Sequence, residues 1–166
     1  MAALPPFEWV VREHGPDVWR FCASQVGRER ADDCFQETML AALRAYPSLR
    51  DAGAVRAWLV RIAARTAVDL HRSAARTPLP VAEPHTGAAP AREPPDGDLW
   101  ERVRALPAKQ RQAVALRFVL DLDHRGIADV MGTTPEAARR SVFEALRTLR
   151  ARVGADAPYT AKARSR

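Results

Sequence analysis

The apolar residues of this chain recur at helical spacing. One repeat at i, i+4, i+7 and i+11 is formed by Ala138, Val142, Ala145 and Leu149, and this spacing places the four side chains along one side of a helix. No run of β-branched residues alternates with a period of two, and alanine, leucine and arginine are abundant. These residues favour helices. The pattern therefore predicts an all-α protein.

A proline-rich stretch divides the chain. Residues 77–96 contain six prolines, and this density excludes a helix or a central strand. At about 3.1 Å per residue in polyproline geometry, the stretch could span about 60 Å. We therefore predict two small helical domains, at 1–76 and 97–153, joined by a flexible Pro-rich linker at 77–96 and followed by a disordered tail at 154–166.

Turn residues and prolines set the expected helix boundaries. In the first domain we expect helices near 5–27, 30–46 and 53–74, and the first of these could break at Gly15-Pro16. In the second domain we expect helices near 97–105, 108–120, 122–131 and 134–152, with Pro107 and Pro135 in first-turn positions. Three or four helices give each domain a very small core, so we expect each to gain stability from a partner.

The last two predicted helices have the pattern of a helix-turn-helix. Gly132 can adopt the left-handed conformation that ends a helix. Thr134 can cap the next helix, and Pro135 suits its first position. The outward positions near its start are Glu136, Ala137, Arg139, Arg140, Phe143 and Glu144. In a DNA-binding helix-turn-helix such positions enter the major groove. A plain helical hairpin is the alternative.

The predicted helix at 54–76 carries a basic stripe. Arg61, Arg65 and Arg72 lie within about 40° of one another at 100° per residue. Asp69 lies beside them and Trp58 one turn before them. Guanidinium groups in a row suit a phosphate backbone, and an exposed aromatic ring can stack on an unpaired base. The alternative is a solvated basic face with a core tryptophan.

The predicted helix at 31–46 has a different outer surface. Its inner stripe consists of Phe35, Met39, Ala42 and Tyr46. The opposite side consists of Asp33, Gln36, Glu37 and Leu40. A leucine among carboxylates and an amide suits docking onto a basic protein partner.

The charge balance is compatible with nucleic-acid binding. The formal net charge is +6, and residues 96–153 contain 11 basic and 8 acidic residues. Arginine supplies 24 of the 26 basic residues, and its planar fork suits phosphate and guanine better than lysine does. A GC-rich genome would produce the same arginine bias.

Other features narrow the class of protein. Cys22 and Cys34 do not form a C-x-x-C motif and are typical of a reducing cytosol. The four histidines have no metal-binding spacing, and no apolar run approaches a membrane span. We find no nucleophile–base pair and no glycine loop for phosphates. We therefore expect a cytoplasmic protein that is not an enzyme, with no metal, no cofactor, no small-molecule substrate and no membrane insertion.

Taken together, these stretches resemble bacterial RNA polymerase sigma factors of the extracytoplasmic-function type. The family's acidic Asp-Asp-x-x-Gln-Glu-Thr-Phe helix resembles "DDCFQETMLAAL" at 32–43. Its Trp-Leu-x-x-Ile-Ala helix, which ends in Asp-x-x-Arg, resembles "AWLVRIAARTAVDLHR" at 57–72. Its C-terminal domain is similar to "LPAKQRQAVALRF" at 106–118 followed by "IADVMGTTPEAARRSVFEALRTL" at 127–149. The resemblance covers about residues 7–75 and 97–152.

The resemblance implies a function and a set of site residues. The protein would bind core RNA polymerase and direct promoter-specific initiation, while the polymerase supplies the chemistry. The implied core-polymerase-binding residues are Asp32, Asp33, Gln36, Glu37 and Leu40. The implied −10 element residues are Trp58, Arg61, Arg65, Asp69 and Arg72. The implied −35 element residues are Thr134, Pro135, Glu136, Arg139, Arg140 and Phe143.

The resemblance also implies domain roles and partners. Residues 1–76 would be a region 2-like domain that binds polymerase and helps to open the −10 region, and residues 97–153 a region 4-like domain. The linker would pass through the polymerase between them. The partners are the β′ clamp helices and the β flap of core polymerase, promoter DNA and, as a further partner that the family allows, an anti-sigma factor.

Five positions depart from the family pattern, among them Met39 in place of the usual phenylalanine and Gly126 where a glutamate is common. Arg65 stands where the family usually has asparagine, which bears on the −10 base preference. Ser141 and Glu144 stand where the family tends to have arginine. We therefore expect Arg139 and Arg140 to dominate the −35 contact.

Two other classes of protein remain as alternatives. A helix-turn-helix regulator with an N-terminal sensor or dimerisation domain would explain residues 120–150, but not the acidic helix or the arginine stripe. A protein-interaction module or anti-sigma-like binder would make no DNA contact. Co-purification with polymerase subunits would distinguish a sigma factor from the helix-turn-helix regulator. A DNA affinity that does not fall with rising salt concentration would favour the protein-interaction module.

Overall fold

The computed structural model describes residues 4–76 and 97–156. In these ranges it contains seven α-helices and no strand, which confirms the all-α prediction. The first unit consists of α1 (Phe7–Val26), α2 (Arg28–Ala45) and α3 (Val55–Arg76), with short 3-10 helices at Tyr46–Ser48 and Ala52–Ala54. The second unit consists of α4 (Asp98–Arg104), α5 (Ala108–Phe118), α6 (His124–Met131) and α7 (Pro135–Asp156).

The predicted linker and tail fall mostly beyond these ranges. Residues 77–96 and 157–166 lie outside the described residues. The helix α7 continues to Asp156, so it extends into the first three residues of the segment predicted as a tail. Pro107 immediately precedes α5, as its N-cap, rather than lying within the first turn.

The helix α1 passes through Gly15-Pro16 without the expected break. A proline inside a helix removes one backbone hydrogen bond and costs about 3 kcal/mol. Burial of the turn that follows offsets this cost, because Val18 and Phe21 lie in the core of the first unit. Gly15 itself is buried, and a Cβ there would lie 3.6 Å from the ring of Phe35. A methyl group at this position would therefore make an ordinary contact with Phe35.

The two units pack against each other. The helix α3 contacts α6, and α1 contacts α4 and α5. One continuous buried cluster includes Leu59 and Ala63 of α3 together with Ile127 and Val130 of α6. Each unit therefore supplies part of the core that the other lacks.

A group of polar residues lies at the contact of α1 and α3 with α5, and we call it the polar junction. Gln25 and Arg111 are both buried. The Nη1 atom of Arg111 donates to the carbonyl oxygen of Arg104 at 2.8 Å, and burial lowers the pKa of Arg111. Gln25 Nε2 lies 3.5 Å from the Arg111 carbonyl oxygen. The Nε2 atom of His71 lies 2.7 Å from the Gln25 carbonyl oxygen.

The pKa of His71 is lowered at this junction. Burial is the largest cause, and the positive charges of Arg111 and Arg30 act in the same direction. The hydrogen bond to the Gln25 backbone acts in the opposite direction. His71 is therefore held in its neutral form more strongly than a histidine in water.

Acidification should weaken the folded state through His71. Because its folded pKa lies below the ordinary value of 6.5, its contribution to stability is complete above that pH and is lost as the pH falls through the folded pKa. We expect the free energy of unfolding to fall more steeply with acid in the wild type than in His71→Gln, which keeps a hydrogen-bond donor. Denaturant titrations between about pH 7.5 and pH 5 measure this difference. His14, whose pKa is also lowered by burial, is present in both proteins. Equal pH slopes would contradict the prediction.

Candidate nucleic-acid and protein interfaces

The helices α6 and α7 form a helix-turn-helix with a cap at each junction. Asp123 Oδ1 accepts a hydrogen bond from the Gly126 backbone at 2.7 Å, at the start of α6. Gly132 ends α6 with φ 63° and ψ 44°, in the left-handed region. The Ala137 backbone donates to Thr134 Oγ1 at 3.2 Å, and α7 begins at Pro135. The structural roles predicted for Gly132 as the end of α6, for Thr134 as the cap of α7 and for Pro135 as its first residue are confirmed.

The burial of one side of α7 leaves a reading face on the other. The stripe of Ala138, Val142, Ala145 and Leu149 is buried, as its spacing predicted. The exposed side chains of the first turns are Thr134, Pro135, Glu136, Arg139, Arg140 and Phe143. We call Glu136, Arg139, Arg140 and Phe143 the reading face. Phe143 is 61% exposed, so its ring is available to a partner at this face.

The reading face is electrostatically suited to DNA. Among the described residues, no carboxylate lies within ion-pair distance of Arg139 or Arg140. The N-terminus of α7 adds its positive partial charge. Guanidinium groups at such a position can hold phosphates or donate two hydrogen bonds to guanine.

Glu144 does not lie on this face, which corrects the sequence interpretation. Its side chain is half-buried, and Gln110 Nε2 of α5 lies 3.5 Å from Glu144 Oε2. Ser141 is also half-buried. The carboxylate of Glu144 therefore faces α5 and is not presented to a phosphate.

The arginine stripe of α3 lies along a groove between the two units. Arg61, Arg65 and Arg72 are exposed, and Arg72 Nη1 lies 4.0 Å from Asp69 Oδ1. The groove has a volume of about 530 Å³. Its opposite wall consists of Gln112, Asp129, Val130, Met131 and Gly132. The structure thus brings the three arginines and Asp69 together, with α6 facing them.

Trp58 lies apart from this groove. Its ring is half-buried against the core, and its centroid lies 6.0 Å from that of Tyr46. A part of the ring remains accessible. Most of the Trp58 ring therefore packs in the core, as the alternative interpretation predicted. The accessible part of the ring leaves room for a stacked base.

The outer side of α2 combines acidic, amide and apolar side chains. Asp33, Gln36, Glu37 and Leu40 are exposed, as expected. Leu43, one turn after Leu40, is exposed to a similar extent, at 51% against 53%. The sequence analysis did not select Leu43, because at 100° per residue it borders the inner stripe, only 40° from Met39. We call these five residues the docking surface.

Asp32 has a different place from its neighbours. Its side chain is half-buried, and its Oδ1 accepts a hydrogen bond from Trp19 Nε1 at 2.7 Å. Trp19 is itself buried in α1. Asp32 therefore ties α2 to α1 and points only partly towards solvent.

Few other features of the described residues bear on chemistry. Cys22 and Cys34 are buried free thiols, and the pKa of Cys22 is raised by its contact with Cys34 and by burial. Within residues 4–76 and 97–156, no three His, Cys, Asp or Glu side chains come together as a metal site. The helices of the same ranges include none with both the length and the apolar character of a membrane span.

Comparison with protein families gives two matches along the chain. Residues 10–77 match the family model described as Sigma-70 region 2. Residues 96–149 match the model described as Sigma-70, region 4. The first match includes the docking surface and the arginine stripe, and the second includes the helix-turn-helix.

Individual relatives cover most of the chain. It is 35% identical to the ECF RNA polymerase sigma factor SigD of Mycobacterium tuberculosis over 159 residues, which is 87% of this chain and 75% of that protein. It is 27% identical to the RNA polymerase sigma factor SigV of Bacillus subtilis, with 84% and 86% covered.

Two solved structures share the fold. The sigma factor RpoE of Bartonella quintana, in complex with the anti-sigma factor NepR, matches with a TM-score of 0.72 at 19% identity and covers 90% of this chain and 98% of that one. CnrH in complex with the cytosolic domain of CnrY matches with a TM-score of 0.67 at 21% identity, with 90% and 88% covered.

Replacing Gly132 tests the geometry of the turn. No heavy atom lies within 4 Å of a Cβ built at this position, so Gly132→Ala should cost only backbone strain, about 1 kcal/mol. Gly132→Asn should cost less, because asparagine tolerates the left-handed region. Denaturant unfolding of the full chain measures both values. Equal losses for the alanine and asparagine variants would contradict the assigned conformation.

Proposed function

This chain belongs to the sigma-70 family as an extracytoplasmic-function RNA polymerase sigma factor, and we propose how it divides that function among three surfaces. Such a protein binds core RNA polymerase and promoter DNA and directs promoter-specific initiation. One observation carries the proposal: the side chains that remain exposed on α2, α3 and α7 form three separate surfaces of different chemistry. Each surface suits a different partner.

We assign recognition of the −35 element to the second unit, residues 97–153. The reading face projects from the first turns of α7, where a recognition helix enters the major groove. Arg139 and Arg140 have no competing carboxylate among the described residues. Phe143 offers an apolar contact to a thymine methyl group. Glu144 stays out of the contact because it faces α5.

We assign the −10 element to the first unit, residues 1–76. Arg61, Arg65 and Arg72 would hold the phosphates of the displaced strand, since guanidinium groups along a groove track a nucleic-acid backbone. Asp69, within 4.0 Å of Arg72, would orient that side chain. The accessible part of Trp58 would stack on an unpaired base. Arg65 stands in place of the family's asparagine, and its charge would increase the affinity for the DNA phosphate backbone at this position.

We assign core-polymerase binding to the docking surface of α2. Leu40 and Leu43 form an apolar pair beside the carboxylates of Asp33 and Glu37. Such a pair with an acidic rim suits a basic helical partner such as the β′ clamp helices. The contribution of Asp32 would be to hold α2 in place through Trp19. The β flap would bind the second unit.

The remaining roles follow from these assignments. Bond formation belongs to the polymerase, so we propose that this chain acts without a catalytic group, a cofactor or a small-molecule substrate. Its place of action would be the cytoplasm, where the polymerase works. An anti-sigma factor is a further proposed partner, since RpoE of Bartonella quintana binds one.

Run-off transcription with purified core polymerase tests the proposed function. The chain should produce promoter-specific transcripts from candidate templates, and core polymerase alone should not. Absence of both promoter-specific transcripts and core binding would overturn the proposal.

Arg139→Ala should abolish −35-dependent initiation while core binding persists. The loss of a bidentate arginine contact costs about 1–3 kcal/mol, or about 5- to 150-fold in promoter affinity. The control is Arg152→Ala, an exposed arginine near the other end of the same helix, about 120° around it from Arg140. Footprinting on a promoter that the run-off assay identifies measures the effect. An unchanged footprint for Arg139→Ala would contradict the assignment.

Leu40→Ala should weaken core-polymerase binding about tenfold, as expected for an apolar residue at the centre of an interface. Leu99→Ala provides a matched control, because Leu99 is 52% exposed and Leu40 is 53% exposed. The dissociation constant for core polymerase, measured by fluorescence anisotropy, separates the two variants. Equal affinities of Leu40→Ala and Leu99→Ala for core polymerase would contradict the assignment of α2 to the interface.

A further inference from the structure

The polar junction brings together four basic side chains, two from each unit. Arg30 of α2 and His71 of α3 belong to the first unit, and Arg104 of α4 and Arg111 of α5 belong to the second. We call these four residues the basic cluster. The docking surface, the arginine stripe and the reading face include none of them, so the proposed function leaves the cluster without a role.

The members from the first unit are connected through neighbouring backbone. The Nη2 atom of Arg30 donates to the carbonyl oxygen of Leu70 at 3.2 Å, one residue before His71. The Nε2 atom of His71 lies 2.7 Å from the carbonyl oxygen of Gln25. The last turns of α1 and the ends of α2 and α3 that face them therefore meet at this point.

The members from the second unit lie at the same place. The Arg111 carbonyl oxygen is 3.5 Å from Gln25 Nε2. The side chain of Arg104 lies against the turn between α1 and α2, because its Nε atom would be 3.8 Å from a Cβ built at Gly27. The backbone N–H of Arg30 donates to the carbonyl oxygen of Gly27 at 3.3 Å. Side chains of both units thus border one turn.

The positive charges of the cluster are not balanced by carboxylates. In the ranges that the structure describes, no Asp or Glu lies within ion-pair distance of Arg30, Arg104 or Arg111. The charged groups that act on His71 are Arg111 and Arg30, which are both positive. The cluster therefore concentrates positive charge where two units meet.

Arg111 is the member whose charge is most costly. It is only 8% exposed, and an arginine stays protonated at physiological pH. Its Nη1 atom donates to the carbonyl oxygen of Arg104 at 2.8 Å. Its buried Nε atom has no hydrogen-bond partner among the described residues. A buried charge without a counter-charge is unfavourable, so this position favours an anion.

We propose that the basic cluster binds a small anion that carries a phosphate group, and that this anion contacts both units. The planar fork of arginine matches the oxygens of phosphate. A phosphate group carries a charge of about −1.5 to −2 at neutral pH, more than a single carboxylate, and so offsets several cations. A DNA backbone suits the cluster less, because Arg111 is buried and Arg30, His71 and Arg104 are half-buried. The proposal is independent of the function assigned above.

The ionisation of His71 reports on an anion in the full chain, without polymerase or DNA. A negative charge beside an imidazole favours its protonated form. We expect saturating inorganic phosphate to raise the pKa of His71 by about one unit relative to sodium chloride at equal ionic strength. NMR titration of the ring protons measures this shift. His14 is the internal reference, because its charged neighbours are Glu13, Asp17 and Arg56, and its pKa should be equal in the two salts.

Two results of this titration would contradict an anion site. An equal pKa of His71 in phosphate and in chloride would overturn the proposal. A rise of the same size at His71 and at His14 would also overturn it, because a general effect of the salt would then explain both.

Variants of the cluster test which side chains hold the anion. Arg30→Gln keeps a donor for the Leu70 carbonyl oxygen but removes the charge, and it should raise the dissociation constant for inorganic phosphate about tenfold. Arg104→Gln should have a similar effect from the second unit. The matched control is Arg12→Gln, which removes an exposed charge of α1 outside the cluster and should leave the constant unchanged.

Phosphate titration of the His71 chemical shift at fixed pH gives these constants. Denaturant unfolding without phosphate checks that each variant is folded. Equal constants for Arg30→Gln, Arg104→Gln and Arg12→Gln would remove the basic cluster from the site and overturn the proposal.

Three probes separate the sources of the phosphate group. Tighter binding of adenosine monophosphate than of inorganic phosphate would identify a phosphorylated small molecule as the ligand, and the reverse order would identify inorganic phosphate itself. A response of His71 to duplex DNA alone would overturn the proposal. A failure of the proposed function would instead appear as no transcript in the run-off assay, whatever the response of His71.

Discussion

The packing of α3 against α6 is the contact on which the rest of the structure depends. Each unit has too few helices to enclose a large core, and side chains from both units join in one buried cluster. Because the inner sides of α2, α3 and α7 are buried against other helices, their remaining side chains face outward and form the docking surface, the arginine stripe and the reading face. The three proposed surfaces thus consist of the side chains that the core leaves exposed.

The same contact gives a physical reason for two states of one chain. An interface that buries apolar side chains favours closure, and a promoter with two separated elements favours separation. Polymerase and DNA can shift this equilibrium only by binding the separated units more tightly than the packed units.

Local signals predicted much of the fold. Helical spacing predicted the buried stripe of α7, and the turn at Gly132 and the cap at Thr134 followed from residue type alone. The exposed side of α2 was also predictable, because four of its members lie opposite an apolar stripe. The family resemblance then supplied the roles of these surfaces.

The features that the sequence analysis did not predict depend on contacts between residues far apart in the sequence. Asp32 is bound by Trp19, which is 13 residues away, and Glu144 faces Gln110, which is 34 residues away. The helix α1 tolerates Pro16 because its following turn is buried by other helices. Arg56 meets Leu120 across 64 residues of sequence. Spacing along one helix contains no information about such contacts.

Separation of the two units is most directly measured as a distance. Spin labels at Ser73 on α3 and Thr133 in the turn before α7 occupy exposed positions on the two units. Double electron–electron resonance should give a short distance in the free chain. In the complex with polymerase and promoter, the distance should increase by several tens of ångströms, because elements named −10 and −35 lie about 25 base pairs, or about 85 Å of duplex, apart. An unchanged distance in that complex would contradict the separation of the units.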